Sequence, residues 1–176
     1  MTTIMKTLKV CFFVLCGALL LACGGPEEPT QKITEEQFKS YFPYSNGDRM
    51  VFFNDLIGDV TYTVLESSSI NSANKMNIKV TMVGTNYLGE QLYFILLNGE
   101  VADNKIIKIE FSQGLEDSMN TNGTIPANGS YVFDVSAGET LPSVITLSDG
   151  SIIEQDKGIT YFVDFDSEKW YFKKRL

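Results

Sequence analysis

In Lys75-Met76-Asn77-Ile78-Lys79-Val80-Thr81-Met82-Val83 polar and apolar side chains alternate without a break from Lys75 to Met82. Successive side chains of an extended chain point to opposite faces, so Met76, Ile78, Val80 and Met82 line one face and Asn77, Lys79 and Thr81 the other. That is a strand with one dry side. Towards the C-terminus, Gln91–Leu97 is a continuous apolar run, the pattern of a central strand covered on both faces, and Asn98-Gly99 after it reads as a tight turn. Ile107, Ile109 and Phe111 alternate with Lys108 and Glu110; Tyr131–Val135, Val144–Leu147 and Ser151–Gln155 follow, the last after an Asp149-Gly150 turn. Ile159–Phe165 and Lys169–Phe172 form a final hairpin, while Arg49–Asn54 and Val60–Glu66 make an early one around the loop Asp55–Asp59. Nine or ten short strands joined mostly by short turns predict an all-β fold, an antiparallel meander forming a sandwich or a flattened barrel. The one long connection, Ser112 to Gly129, is rich in Gly, Asn and Pro and has no periodic segment; connections of this length are usually functional or mobile.

One helix is expected, ahead of the strands. Thr34 stands at a cap position with Gln37 three residues on, and Ile33 can staple to Phe38. Phe38, Tyr41 and Phe42 share a face and Pro43 stops the helix, so this piece should plug an open end of the domain with aromatic rings.

The first residues are of another kind. Lys6 and Lys9 precede Val10–Ala22, which carries no charge and falls short of the about 20 residues a membrane-crossing helix needs. Leu20-Leu21-Ala22-Cys23 resembles the lipobox of bacterial lipoproteins. The resemblance implies a signal peptide over 1–22, a diacylglyceryl group on the Cys23 thiol, acylation such as palmitate on the new amine, and anchoring to the outer membrane. Two or more acyl chains, at about 0.8 kcal/mol per buried methylene, hold a protein firmly. Residues 23–32, Gly24-Gly25-Pro26-Glu27-Glu28-Pro29 foremost, have nothing large to pack and form a flexible tether to a single β-rich domain over 33–176. Glu27 and Glu28 are similar to the surface-export signals of Bacteroidetes lipoproteins. Tyr41-Phe42-Pro43-Tyr44-Ser45-Asn46-Gly47-Asp48, the Phe52-Phe53-Asn54 strand and the ending Gly158–Phe165 with Trp170 resemble uncharacterised Bacteroidetes lipoproteins. That resemblance implies a surface or periplasmic address and carries no activity with it.

Composition excludes much chemistry. The chain has no histidine, which removes histidine-based triads, Cys–His pairs and the common zinc sites. The lipobox resemblance implies that Cys11 and Cys16 leave with the signal and that Cys23 is acylated, which would leave no disulfide, thiol nucleophile or thiolate metal site. A net charge of −8 argues against nucleic acid, which binds through Lys and Arg on its phosphates. Lys173-Lys174-Arg175 reads instead as a charged end blunting a terminal strand. No cofactor motif is present.

Candidate sites are few. Tyr87 and Tyr131, beside loops, are candidate ligand platforms, whereas Phe52, Phe53, Phe94, Phe111, Phe133 and Phe162 fall in strand runs and should pack in the core. Trp170 and Phe172 share a face across the last hairpin from Tyr161, Val163 and Phe165. Asp117-Ser118-Met119 resembles a Bacteroidetes O-glycosylation triplet, with Ser118 the acceptor. Asn122-Gly123-Thr124 and Asn128-Gly129-Ser130 read as turns. Asp164, Asp166 and Glu168, near Asp156, have the spacing of a cation loop, but Lys169 and Arg175 stand where such a loop needs glycine and glutamate, which favours a solvated hairpin turn. The expected function is a non-enzymatic binding or accessory domain for a partner protein or glycan. Alternatives are a β-barrel holding a small apolar ligand, and a small hydrolase using two carboxylates about 5–10 Å apart.

Overall fold

The computed structural model describes residues 32–72, 75–85, 92–103, 105–115, 127–135, 140–164 and 166–176. The expected signal peptide, Cys23, the expected tether up to residue 31, Tyr87, Ser118, the sequence Asn122-Gly123-Thr124 and Phe165 lie outside the described residues.

Helix α1 (Glu35–Lys39) opens on the expected capping box. The Gln37 amide donates to Thr34 Oγ1 at 3.2 Å and the Thr34 amide to Gln37 Oε1 at 2.9 Å, satisfying two N-terminal donors reciprocally. Phe38, Tyr41 and Phe42 are all buried.

Among the described residues ten strands follow: β1 (Arg49–Asn54), β2 (Gly58–Ser72), β3 (Lys75–Thr85), β4 (Leu92–Ala102), β5 (Ile106–Leu115), β6 (Gly129–Asp134), β7 (Val144–Thr146), β8 (Ile152–Glu154), β9 (Gly158–Val163) and β10 (Lys169–Arg175). They form one antiparallel sheet in the order β6-β5-β4-β3-β2-β1-β10-β9-β8-β7. Every strand lies beside a chain neighbour except where β1 pairs with β10, and that pairing rolls the meander into a nearly closed barrel. The free edges are β6 and β7, stitched at one point: the Ser148 amide donates to the Ser130 carbonyl at 2.9 Å, and the Ser130 amide to Ser148 Oγ at 3.0 Å.

Alternation decides which side chains fill the barrel. In β3, Met76, Ile78, Val80 and Met82 are buried, as their period requires. Phe52, Tyr62, Ile95, Leu97, Ile107, Ile109, Phe111, Ile153, Phe162 and Trp170 complete a continuous interior. Each large apolar side chain so buried contributes about 1.5–3 kcal/mol.

Four expectations are corrected. Asn98-Gly99 is no turn: β4 runs straight through it to Ala102, with Gly99 opposite Ile78 and Ile109. A Cβ at Gly99 would lie 2.3 Å from Cζ of Phe42 and 2.7 Å from Cζ of Phe38, so glycine is there to let the rings of the N-terminal plug approach the strand. β2 continues through the serine-rich Ser67–Ser72, because β3 offers it a full ladder from Thr81 to Lys75; partner backbone overrides weak local propensity. β5 extends to Leu115, shortening the long connection at its start. Near the other end of that connection Asn128 is held, its amide donating to the Phe111 carbonyl and its Oδ1 accepting from Gln113 N, both at 2.8 Å. Lastly, the basic C-terminus is more than a charged strand end: Lys174 and Arg175 pair with Val51 and Met50 of β1, while the ladder with β9 stops at Tyr171. β10 pairs with β1 and β9; Lys173 Nζ meets Asp59 Oδ2 at 2.8 Å, and Arg175 Nη2 donates to the Pro43 carbonyl at 2.7 Å.

The plug is tied down by tyrosines. The Ile159 amide donates to the buried Tyr44 hydroxyl at 2.6 Å, and burial pushes that hydroxyl well above its usual range. Tyr41 donates to the Pro142 carbonyl and accepts from Gln155 Nε2 at 3.1 Å.

Candidate functional site

The interior is occupied by rings. Trp170 stacks on Phe162 with centroids 5.6 Å apart and planes 7° from parallel, and the edges of Tyr62 and Tyr93 close around it at 6.4 and 5.8 Å. Phe52 and Phe111 meet Phe162 at 5.2 and 5.4 Å. The register puts Trp170 opposite Phe162, so it shares its face with that ring and not with Tyr161 or Val163, which point outwards.

Beside these rings lies the one buried carboxylate among the described residues. Asp164 Oδ1 accepts from the amides of Asp166 at 3.0 Å and Glu168 at 2.9 Å, and Oδ2 accepts from Trp170 Nε1 at 2.9 Å. The acidic cluster at 164–168 is therefore a hairpin turn, organised by Asp164 around its own backbone and the indole. Among the described residues no group of three acidic, Cys or His side chains is placed to hold a metal ion. Asp164→Asn should lower stability by about 1–3 kcal/mol, because the carboxamide turns a donor towards either the indole N–H or the turn amides. Urea melts of the two proteins measure it, and an unchanged midpoint would remove Asp164 from this role.

A second polar group faces the interior. The Tyr62 hydroxyl and both polar atoms of the Gln113 amide are buried outside hydrogen-bond geometry. Gln113 nevertheless lies close enough to ease the proton from Tyr62, while the stronger effect of burial pushes that hydroxyl up.

Two features of the outer surface bear on binding among the described residues. The first is a shallow groove of about 410 Å³ over β2, β3, β4 and β5, floored by Ser68, Asn77 and Asn98 and crossed by ion pairs such as Lys79–Glu66 at 3.3 Å. Exposed pairs of this kind contribute at most about 1 kcal/mol. The second is a row of aromatic rings. Phe53 of β1 pairs with Tyr171 of β10, and Tyr171 with Tyr161 of β9, so three outward rings lie side by side on one rung of the ladder. Phe53 is 37% and Tyr171 44% exposed, and Tyr161 is half-buried. Tyr161 and Tyr171 sit 5.2 Å apart at 54°, and Lys173 Nζ lies 5.9 Å over the Phe53 ring. Asp59 continues the rung on one side and Ile152 and Thr146 on the other.

Of the platform candidates, Tyr131 points inwards from β6, half-buried against the core and stacked on Phe133 at 6.1 Å. Phe53, expected in the core, is on the outside, and Phe94 is half-buried on the outer face of β4. The signal that could have found the row is the alternation around Phe52-Phe53 and Trp170-Tyr171: one ring of each pair must face outwards once the other faces in.

Compared with known proteins, the chain matches no family model, no curated protein and no solved structure.

Proposed function

We propose that this protein is a lipid-anchored, non-enzymatic binding or accessory domain of the bacterial cell envelope, held at the outer membrane through Cys23 and engaging a glycan or protein partner with its outer surface. The observation that carries the reading is the ring-filled interior beside an exposed aromatic row: the inside of the barrel is spent on packing, and the apolar rings left to water stand outside. A small ligand held within the barrel finds no support in an interior where Trp170, Phe162, Phe111 and Phe52 meet one another. Catalysis finds little either. Histidine and free thiols are missing from the mature domain, and the buried carboxylate Asp164 already accepts three hydrogen bonds.

The anchor is tested directly. Cys23→Ser should abolish incorporation of a fatty-acid analogue and move the protein out of the detergent phase, while the wild type is labelled and partitions into detergent. Equal labelling of the two would end the lipoprotein reading.

A further inference from the structure

We infer that the row Phe53–Tyr171–Tyr161 is a carbohydrate platform that takes a neutral, extended, β-linked glycan running across the strands, with sugar rings over Tyr171 and Tyr161 and with Lys173, which lies over Phe53, closing the end of the row. This rests on the binding-domain reading above and names its ligand and site. Rings on one rung of adjacent strands are spaced by the strand separation, about 4.8 Å, and the Tyr161 and Tyr171 centroids are 5.2 Å apart. That is close to the advance per sugar of an extended β-1,4-linked chain, whereas an α-1,4-linked chain curls away from a straight row. The two tyrosine planes are 54° apart, more than the about 20–25° by which adjacent strands twist, so they suit a chain whose successive sugars turn about its axis better than a flat ribbon.

Area argues for a narrow ligand. An aromatic side chain offers about 150–250 Å², so Phe53 and Tyr171, at 37% and 44% exposed, with the half-buried Tyr161 beside them, present on the order of 200 Å² together. A stable protein interface takes about 800 Å² from each partner. The row is too small for the core of such an interface and the right size for two or three sugars. Its surroundings suit hydroxyl groups: Thr146 lies on the same rung, and Asp59 and Lys173, paired at 2.8 Å, close the Phe53 end with no net charge. A chain of net charge −8 gives no general attraction to an anionic polymer, which leaves a neutral one. The rings stand on strands, not on loops, so little ordering is needed on binding.

Calorimetry of the full lipidated chain, in a detergent without a sugar headgroup, tests this with cellohexaose, xylohexaose and, as the curled control, maltohexaose. Binding of a β-linked hexamer is expected, maltohexaose being weaker. Tyr171→Ala should cut affinity roughly tenfold with little change in melting temperature, and Tyr161→Ala/Tyr171→Ala should abolish binding. If the double variant bound as well as the wild type, the row would be the wrong site, though the binding-domain reading would stand. Equal binding of maltohexaose would overturn the extended-chain geometry. If no hexamer bound, the carbohydrate proposal would fall, and a photocrosslinking residue at position 171 would then judge the broader reading in intact cells. A discrete protein adduct would keep the domain a binder of protein, and no adduct would sink both.

Discussion

Trp170→Ala is expected to lower the free energy of unfolding by about 3–5 kcal/mol. The indole is fully buried, stacked on Phe162 and enclosed by Tyr62 and Tyr93, so truncation leaves a cavity that four strands cannot collapse around. It also strips Asp164 Oδ2 of its 2.9 Å indole donor and leaves a buried charge with less compensation. Domains of this size are stable by about 5–15 kcal/mol, so the variant should be marginal. Circular dichroism through a urea titration is the measurement, since the variant has no tryptophan to report. Trp170→Phe narrows the comparison: it keeps most of the ring volume while losing the hydrogen bond and a small part of the packing, and should cost about 1–3 kcal/mol. In the wild type the same burial predicts short-wavelength emission that resists iodide. A loss under about 1 kcal/mol for the alanine variant would show that the indole does not sit in the core.

How far the sequence could be read depended on how local the deciding physics was. The helix start at Thr34, with Gln37 answering it, is a contact between near neighbours, and the capping box stands as expected. Strand existence was legible for the same reason: the alternation from Met76 to Met82 is written into one strand. Closure of the meander was not, because the β1–β10 pairing joins residues more than a hundred positions apart, and neither strand alone favours a barrel over a sandwich. The polar end of β2 shows the same limit, since only its ladder with β3 makes Ser67–Ser72 a strand.

The candidate surface was half legible. Phe53 and Tyr171 each sit next to a buried ring, Phe52 and Trp170, and alternation alone says that one of each pair must face water. Which one faces water needs the register, and the register also brings Phe53, Tyr171 and Tyr161 onto a single rung. Tyr131 was judged from its place beside a loop, but the pairing of β5 with β6 sets it opposite the buried Ile109 and turns its ring inwards. The sequence makes Asp164 one acidic residue of a solvated hairpin turn; its burial and its bond to the indole six residues on depend on the turn that it organises.

Gly99 supplies the second large effect, and it separates two meanings of one dipeptide. In a tight turn, glycine is needed for its backbone angles. In the middle of β4 the need is space, since a Cβ there would press on the end carbons of Phe42 and Phe38 at 2.3 and 2.7 Å. Both rings are buried and pack edge to face at 5.2 Å, so neither can swing aside without emptying its own site. Gly99→Val should therefore force the plug off the end of the barrel and cost about 3 kcal/mol, the upper end of what overpacking usually costs. Valine is otherwise favourable in a strand, so any loss must come from the collision and not from propensity. The rescue is specific: Phe42→Ala, destabilising by itself, should cost much less in the Gly99→Val background, because it vacates the space that the valine enters. Hydrogen exchange should place the damage at Phe38–Tyr44 and leave the β9–β10 hairpin protected. If Gly99→Val melted like the wild type, or if removing the Phe42 ring gave no relief, α1 would not be docked on β4 as described.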